Sequence, residues 1–129
     1  MASSSITVTP IAGSLGAEVT GVDLRTMDNH DWAQVHQAFL DHKVIAIRDQ
    51  ALSPQDLMDV GARFGEPNHY PFVKGMDDFP FLFDIVKEPS EKRNFGGGWH
   101  SDTTYMKTPP LATLLYALET PERGGDTLY

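Results

Sequence analysis

Leu111-Ala112-Thr113-Leu114-Leu115-Tyr116-Ala117-Leu118 lies between Pro109-Pro110 and Pro121. A short run bounded by prolines has the length of a strand, and it falls far below the roughly 20 apolar residues that a membrane span needs. It is apolar on both of its alternating faces, which predicts a strand sandwiched between layers. Downstream, Pro121 to Gly125 reads as a turn and Asp126 to Tyr129 begins another strand. Upstream, Phe81 to Val86 reads as a strand with Phe81, Phe83 and Ile85 on one face. Trp99 to Tyr105 reads as a short extended segment.

Further towards the N-terminus the pattern changes. Ile6-Thr7-Val8-Thr9 alternates apolar and polar, and Ala17-Glu18-Val19-Thr20 sits between Gly16 and Gly21. The two predict a hairpin or adjacent edge strands. Asp28 opens a helix whose apolar stripe is Trp32, Val35, His36, Phe39 and Leu40, spaced for one buried face. Val44 to Ile47 reads as a buried strand, ended by Arg48-Asp49-Gln50. Ser53-Pro54 starts a second helix, with Leu57, Val60, Gly61 and Phe64 as its stripe and Gly65 as its stop. Between Glu66 and Pro80 a long loop carries three prolines and Gly75, a length that usually signals function or disorder. Helices early and strands later predict an α+β fold, mainly β, with a jelly roll as its body. A jelly roll needs about eight strands. The candidates here fall short of that, so the chain reads as residues 1–129 of a larger domain, incomplete at its C-terminus.

Composition narrows the function classes. Ten Lys and Arg against 18 Asp and Glu give 10 − 18 = −8 over 129 residues. That balance opposes nucleic-acid binding, which needs a basic face, and leaves a small anionic substrate open because a site's charge is local. The absence of cysteine excludes disulfides, thiolate metal sites and cysteine nucleophiles. Met1-Ala2-Ser3-Ser4-Ser5 has neither the basic region nor the apolar core of a signal peptide. The expectation is a cytoplasmic protein that engages neither membrane nor nucleic acid, with a homo-oligomer left open.

Five histidines are the candidates for metal or acid–base chemistry. His30, His36 and His42 are six apart, a spacing of about 240° around a helix, so they share no face. His36 reads as a packing residue on the apolar stripe, and His69 as a solvated loop residue. His100 and Asp102 differ. In extended chain, residues i and i+2 point to one face, so the imidazole and the carboxylate converge while Ser101 points away. One neutral nitrogen and one anionic oxygen are two-thirds of the 2-His-1-carboxylate set that binds non-heme Fe(II). His-x-Asp alone is a short pattern that a surface pair also satisfies. Trp99 could supply a dry wall, and Gly96-Gly97-Gly98 could let the backbone pass close to a bound molecule. A phosphate loop does not fit, because no helix follows.

Longer motifs then accumulate. Trp99-His100-Ser101-Asp102-Thr103-Thr104-Tyr105, Thr108-Pro109-Pro110 and Gly124-Gly125-Asp126-Thr127-Leu128-Tyr129 resemble the taurine/2,4-dichlorophenoxyacetate dioxygenase family. So do Leu15 to Leu24, Val44 to Gln50 and Arg63-Phe64-Gly65-Glu66-Pro67. The resemblance runs in family order from Ile6 to Tyr129 and corresponds to the N-terminal half of a member. It implies a double-stranded β-helix, the jelly roll, with the N-terminal helices packed on it. It also implies hydroxylation dependent on Fe(II), 2-oxoglutarate and O2, with release of succinate and CO2. By position it makes His100 and Asp102 the first two iron ligands and gives Thr127 a hydrogen bond to a 2-oxoglutarate carboxylate. The third ligand, a distal His, and an Arg that clamps the cosubstrate lie later in family members.

The resemblance also implies a substrate side formed by the loop Glu66 to Pro80 and the approach Asn94 to Gly98, with Tyr70, Asn94 and Phe95 as candidates. The expected substrate is a small organic anion: a sulfonate, a sulfate ester or an aryloxyacid. Taurine-specific members carry His in place of Tyr70 and Asn in place of Gly96, so taurine is not the expected preference. Two other readings compete. A non-catalytic jelly-roll binding module could keep the scaffold, but the intact His100 and Asp102 count against it. A related iron halogenase replaces the carboxylate with a small residue, which Asp102 opposes.

Overall fold

The computed structural model describes residues 5–129; most of the stretch judged not to be a signal peptide, Met1 to Ser4, lies outside the described residues. The chain divides into two compact units, Met1–Asp56 and Leu57–Tyr129.

The first unit holds three strands and a helix. Strand β1 (Thr7–Pro10) and strand β2 (Ala17–Thr20) pair antiparallel, with Thr7 opposite Thr20 and Pro10 opposite Ala17. This is the predicted hairpin, one residue later at its start. Helix α1 (Asn29–His42) follows, then strand β3 (Ile45–Ile47), which pairs parallel to β2 through Ala17 opposite Ile45 and Val19 opposite Ile47. Parallel neighbours require a crossover connection, and α1 provides it. Gly21 ends β2 at a φ of +81°, where a Cβ would stand 2.4 Å from the Ser5 carbonyl oxygen. Only glycine fits a left-handed turn that close to another backbone.

Local chemistry sets the helix limits. Asp28 is the N-cap of α1; its Oδ1 accepts from the backbone N–H groups of His30 at 2.8 Å and Asp31 at 2.9 Å. These are donors that the first turn leaves without helical partners. At the other end Lys43 takes a φ of +67° and its N–H donates to the Phe39 carbonyl at 2.8 Å. The core joins Ala17 and Val19 of β2 to Val35 and Ala38 of α1, all buried, with Val22 and Met27 beside them. Small side chains here let helix and sheet approach closely. The buried stripe of α1 is thus Val35 and Ala38, whereas Leu40, which was expected on it, is exposed. His36 stacks on Trp32 with ring centroids 5.3 Å apart, as a packing residue would.

Gln50, just past β3, ties the loop after β2 to the sheet. Its Oε1 accepts from the Leu24 N–H at 2.9 Å, and its Nε2 donates to the carbonyls of Val22 at 2.9 Å and Arg48 at 2.7 Å. Arg48 in turn pairs with Glu18 of β2 at 2.8 Å. Helix α2 (Pro54–Phe64) begins with a reciprocal cap: Ser53 Oγ accepts from the Asp56 N–H at 3.2 Å, and Asp56 Oδ2 accepts from the Ser53 N–H at 2.8 Å.

The second unit departs from the expected strands. Among the described residues no strand follows β3: Phe81–Val86, Leu111–Leu118 and Asp126–Tyr129 form no ladder. The strand character of Leu111–Leu118 survives as alternation, since residues 112, 114 and 116 are half-buried and residues 111, 113, 115 and 117 exposed. A strand also needs a hydrogen-bonded neighbour, and the described residues supply none. The expected burial of both faces is corrected accordingly: Leu111, Leu115 and Leu118 are 62%, 70% and 80% exposed. Trp99 to Tyr105 is not extended throughout, because the chain reverses at Thr103, whose carbonyl accepts from the Met106 N–H at 3.0 Å. The jelly-roll body is not complete within these residues.

Candidate metal centre

His100 and Asp102 do converge. His100 Nε2 lies 3.1 Å from Asp102 Oδ1, with both side chains about half exposed. The ring is fixed from its other side: the Gly98 carbonyl lies 2.6 Å from Nδ1 and, as an acceptor, takes the Nδ1 proton. That hydrogen bond occupies Nδ1 and leaves Nε2 as the ring atom that faces Oδ1. It is also the main cause that raises the His100 pKa above its usual value; loss of solvent opposes it, and the Asp102 carboxylate adds smaller contributions in the raising direction.

The backbone before His100 passes against the imidazole. Gly96 has a φ of +65°, and a Cβ there would stand 3.1 Å from His100 Cε1 and 3.6 Å from Nε2. The glycine run was expected to allow a close approach of backbone to a bound molecule; here it allows approach to the imidazole itself. The Gly97 N–H donates to the Asn94 carbonyl at 3.2 Å, which makes the turn that carries Gly96 and Gly98 to the ring.

The donor set fits a metal. Two ligands at right angles on an octahedral ion with bonds of about 2.1 Å stand about 3.0 Å apart. Nε2 and Oδ1 match that separation, and a backbone carbonyl on the second imidazole nitrogen is the usual support of a metal-bound histidine. No cluster of three His, Cys, Asp or Glu exists among the described residues, so the pair offers two donors and no third.

The other candidates fall in different places. Tyr70 and Phe95 meet edge to face with centroids 6.4 Å apart. Phe83 joins both, stacked on Tyr70 at 5.3 Å and edge-on to Phe95 at 6.2 Å. Phe72 extends the cluster, 5.5 Å from Tyr70 and 6.5 Å from Tyr105. Phe95 directly precedes Gly96, whose backbone lies against the imidazole. Asn94 contributes its carbonyl to the turn. Thr127 lies exposed on the stretch after Gly125, and no hydrogen bond joins it to the His100–Asp102 pair among the described residues. His69 is an exposed loop residue, as expected, with its ring tilted against Phe81 at a centroid distance of 4.4 Å. Sequence reading missed Gly98 as the support of His100 and Phe83 as the centre of the aromatic group. A backbone carbonyl leaves no trace in sequence; Phe83 was visible only as one aromatic on a strand face.

A histidine and an aspartate one residue apart, in contact and with Nδ1 of the imidazole engaged, supply a donor pair of the type found in His/carboxylate metal sites. Comparison with known proteins sharpens this. The taurine catabolism dioxygenase TauD, TfdA family matches residues 7–129, and the chain belongs to that family. It is 31% identical over 121 residues to an alkylsulfatase of Acinetobacter baylyi, covering 92% of this chain and 37% of that protein. It is 32% identical over 124 residues to an alpha-ketoglutarate-dependent sulfate ester dioxygenase of Pseudomonas putida, covering 95% of this chain and 40% of that protein. The chain therefore spans well under half the length of these relatives. The crystal structure of a taurine dioxygenase from Burkholderia xenovorans superposes with a TM-score of 0.54 at 36% identity, over 59% of this chain and 28% of that one. No helix among the described residues is long and apolar enough to cross a membrane.

Proposed function

We propose that residues 1–129 form the N-terminal part of a single dioxygenase domain with a jelly-roll body, and that His100 and Asp102 are two of the three iron ligands. The observation that carries this reading is the 3.1 Å approach of Nε2 and Oδ1 with Nδ1 engaged by Gly98. Fe(II), with 2-oxoglutarate and O2 as cosubstrates, supplies when bound the oxidising chemistry for hydroxylating a substrate C–H bond, with succinate and CO2 released.

The chain's own residues have distinct tasks in this reading. Gly98 holds the imidazole in the ligating tautomer, and Asp102 brings the anionic charge that a divalent ion needs. Thr127 donates its hydroxyl to a 2-oxoglutarate carboxylate. Tyr70, Phe83 and Phe95 form an apolar wall that begins beside His100 through Gly96, and Asn94 adds a polar group at its edge. An aromatic wall suits the carbon skeleton of a small organic anion, and the relatives named for alkyl sulfates and sulfate esters favour that class over taurine. The solved relative named for taurine keeps the sulfonate alternative in play.

The test is catalytic efficiency of the full-length protein, side by side, for taurine, a medium-chain alkyl sulfate and an aryloxyacid. We expect succinate release with all the hallmarks of 2-oxoglutarate dependence, and the alkyl sulfate ahead of taurine. Taurine ahead by a wide margin would overturn the substrate assignment; no succinate with any of the three would overturn the reaction.

A further inference from the structure

Thr103 is unusual for a residue beside two exposed donors. It is buried, only 8% exposed, while His100 and Asp102 on its N-terminal side are half open to solvent. It also adopts a φ of +40°. A left-handed conformation is a true outlier for a β-branched residue, because the branch crowds the following carbonyl. Such strain persists only where the surroundings over-determine it, and it concentrates at functional sites.

The location of the strain gives it a consequence. The backbone runs forward through His100, Ser101 and Asp102 and reverses at once, with the Met106 N–H donating to the Thr103 carbonyl at 3.0 Å. Ser101 Oγ and Thr104 Oγ1 lie 3.1 Å apart and brace the outer side of the same bend. Asp102 therefore has a strained, anchored residue as its immediate successor. Asp102 is thus held directly against an anchored turn, and the turn is at Thr103.

We propose that Thr103 is a positioning residue: its buried, branched side chain holds the left-handed turn that aims the Asp102 carboxylate at the point His100 Nε2 also faces. The proposal rests on the reading of His100 and Asp102 as metal ligands. The side chain acts through shape and burial, so its hydroxyl is dispensable. Losing the anchor releases the turn and lets the carboxylate sample directions away from the imidazole.

The test is calorimetric binding of Mn(II), as an oxygen-stable probe, to the full-length protein and to Thr103→Gly, Thr103→Ala, Thr103→Val and Asp102→Ala. A glycine removes the strain as well as the anchor, so Thr103→Gly should melt no lower than the parent yet bind Mn(II) about tenfold or more weakly, the usual size of losses behind a metal ligand. Thr103→Ala should weaken binding similarly, and Thr103→Val should bind like the parent. If glycine does not yield folded protein, the alanine–valine contrast decides. Parent-like binding in both Thr103→Gly and Thr103→Ala, with Asp102→Ala abolishing it, overturns the positioning role alone. A loss in Thr103→Val equal to that in alanine also overturns it and assigns the effect to the hydroxyl. Binding unchanged in Asp102→Ala, or absent from the parent, overturns the metal reading and this inference with it.

Discussion

At the scale of single residues, charge and hydrogen bonding make assignments that titration can check. Asp23 accepts from the Arg25 guanidinium at 3.0 and 2.7 Å and from the Arg25 backbone N–H at 3.0 Å. These bonds lower its pKa to about 2. A depressed carboxyl contributes stability that is fully present above its unfolded value, near 3.8, and is lost as the pH falls through about 2. Following the Asp23 carboxyl carbon by NMR should show a midpoint near the lower value, and Arg25→Ala should return it towards the upper one. A midpoint at the ordinary value in the parent would contradict the pairing. Thr127 carries a prediction of a different kind. Thr127→Val keeps the shape and removes the donor, so the full-length protein should need more 2-oxoglutarate, by the value of a hydrogen bond to a charged group, about 1.5–3 kcal/mol. A shift in the substrate requirement with the 2-oxoglutarate requirement unchanged would move Thr127 to the substrate side. The approach of His100 to Asp102 was legible because the i, i+2 relation needs only three residues of extended chain, and the chain reverses only beyond them, at Thr103. Gly98 and the strained Thr103 were not legible, because backbone direction is decided by surroundings rather than by residue type.

At the scale of elements, the caps and the first unit were readable and the later strands were not. Asp28 and Ser53-Pro54 mark the two helix starts because capping chemistry is local: a side-chain oxygen meets an orphan N–H two or three residues on. Ala17 to Thr20 was readable for the same reason, since glycines on both sides confine it. The stripe of α1 was misplaced at Leu40 because periodicity gives a face but not its centre, and here Ala38 faces the sheet. Leu111 to Leu118 shows the opposite limit. Its alternation is real, but a ladder depends on partners that a local pattern cannot name. Gln50 belongs to this scale as the link between β3 and the loop after β2. Gln50→Ala leaves the Leu24 N–H and the Val22 carbonyl without that partner in a half-buried setting. It should cost about 1–3 kcal/mol, read by denaturant unfolding. A change within about 0.5 kcal/mol, the range of ordinary surface substitutions, would show that water replaces the amide without loss.

At the scale of the whole molecule, the second unit carries a run of exposed apolar side chains, Trp99, Leu111, Leu115 and Leu118 among them. In the proposed jelly roll, further strands cover them. Leu115→Ala in the full-length protein should then cost about 2–5 kcal/mol, as for a buried leucine. A loss within about 0.5 kcal/mol would mean that Leu115 stays in solvent and that this stretch is no sandwiched strand. The acidic balance of the chain does not oppose an anionic substrate, since exposed charges are screened beyond about 8 Å at physiological salt. The central claim is that His100 and Asp102 make this a dioxygenase site, and succinate release tests it most directly. The full-length protein with Fe(II), 2-oxoglutarate, O2 and an alkyl sulfate should release succinate. Asp102→Ala and His100→Ala should release essentially none, while His36→Ala, which removes the packing on Trp32, should retain turnover at temperatures where it is folded. Parent-like succinate release by Asp102→Ala would contradict the account.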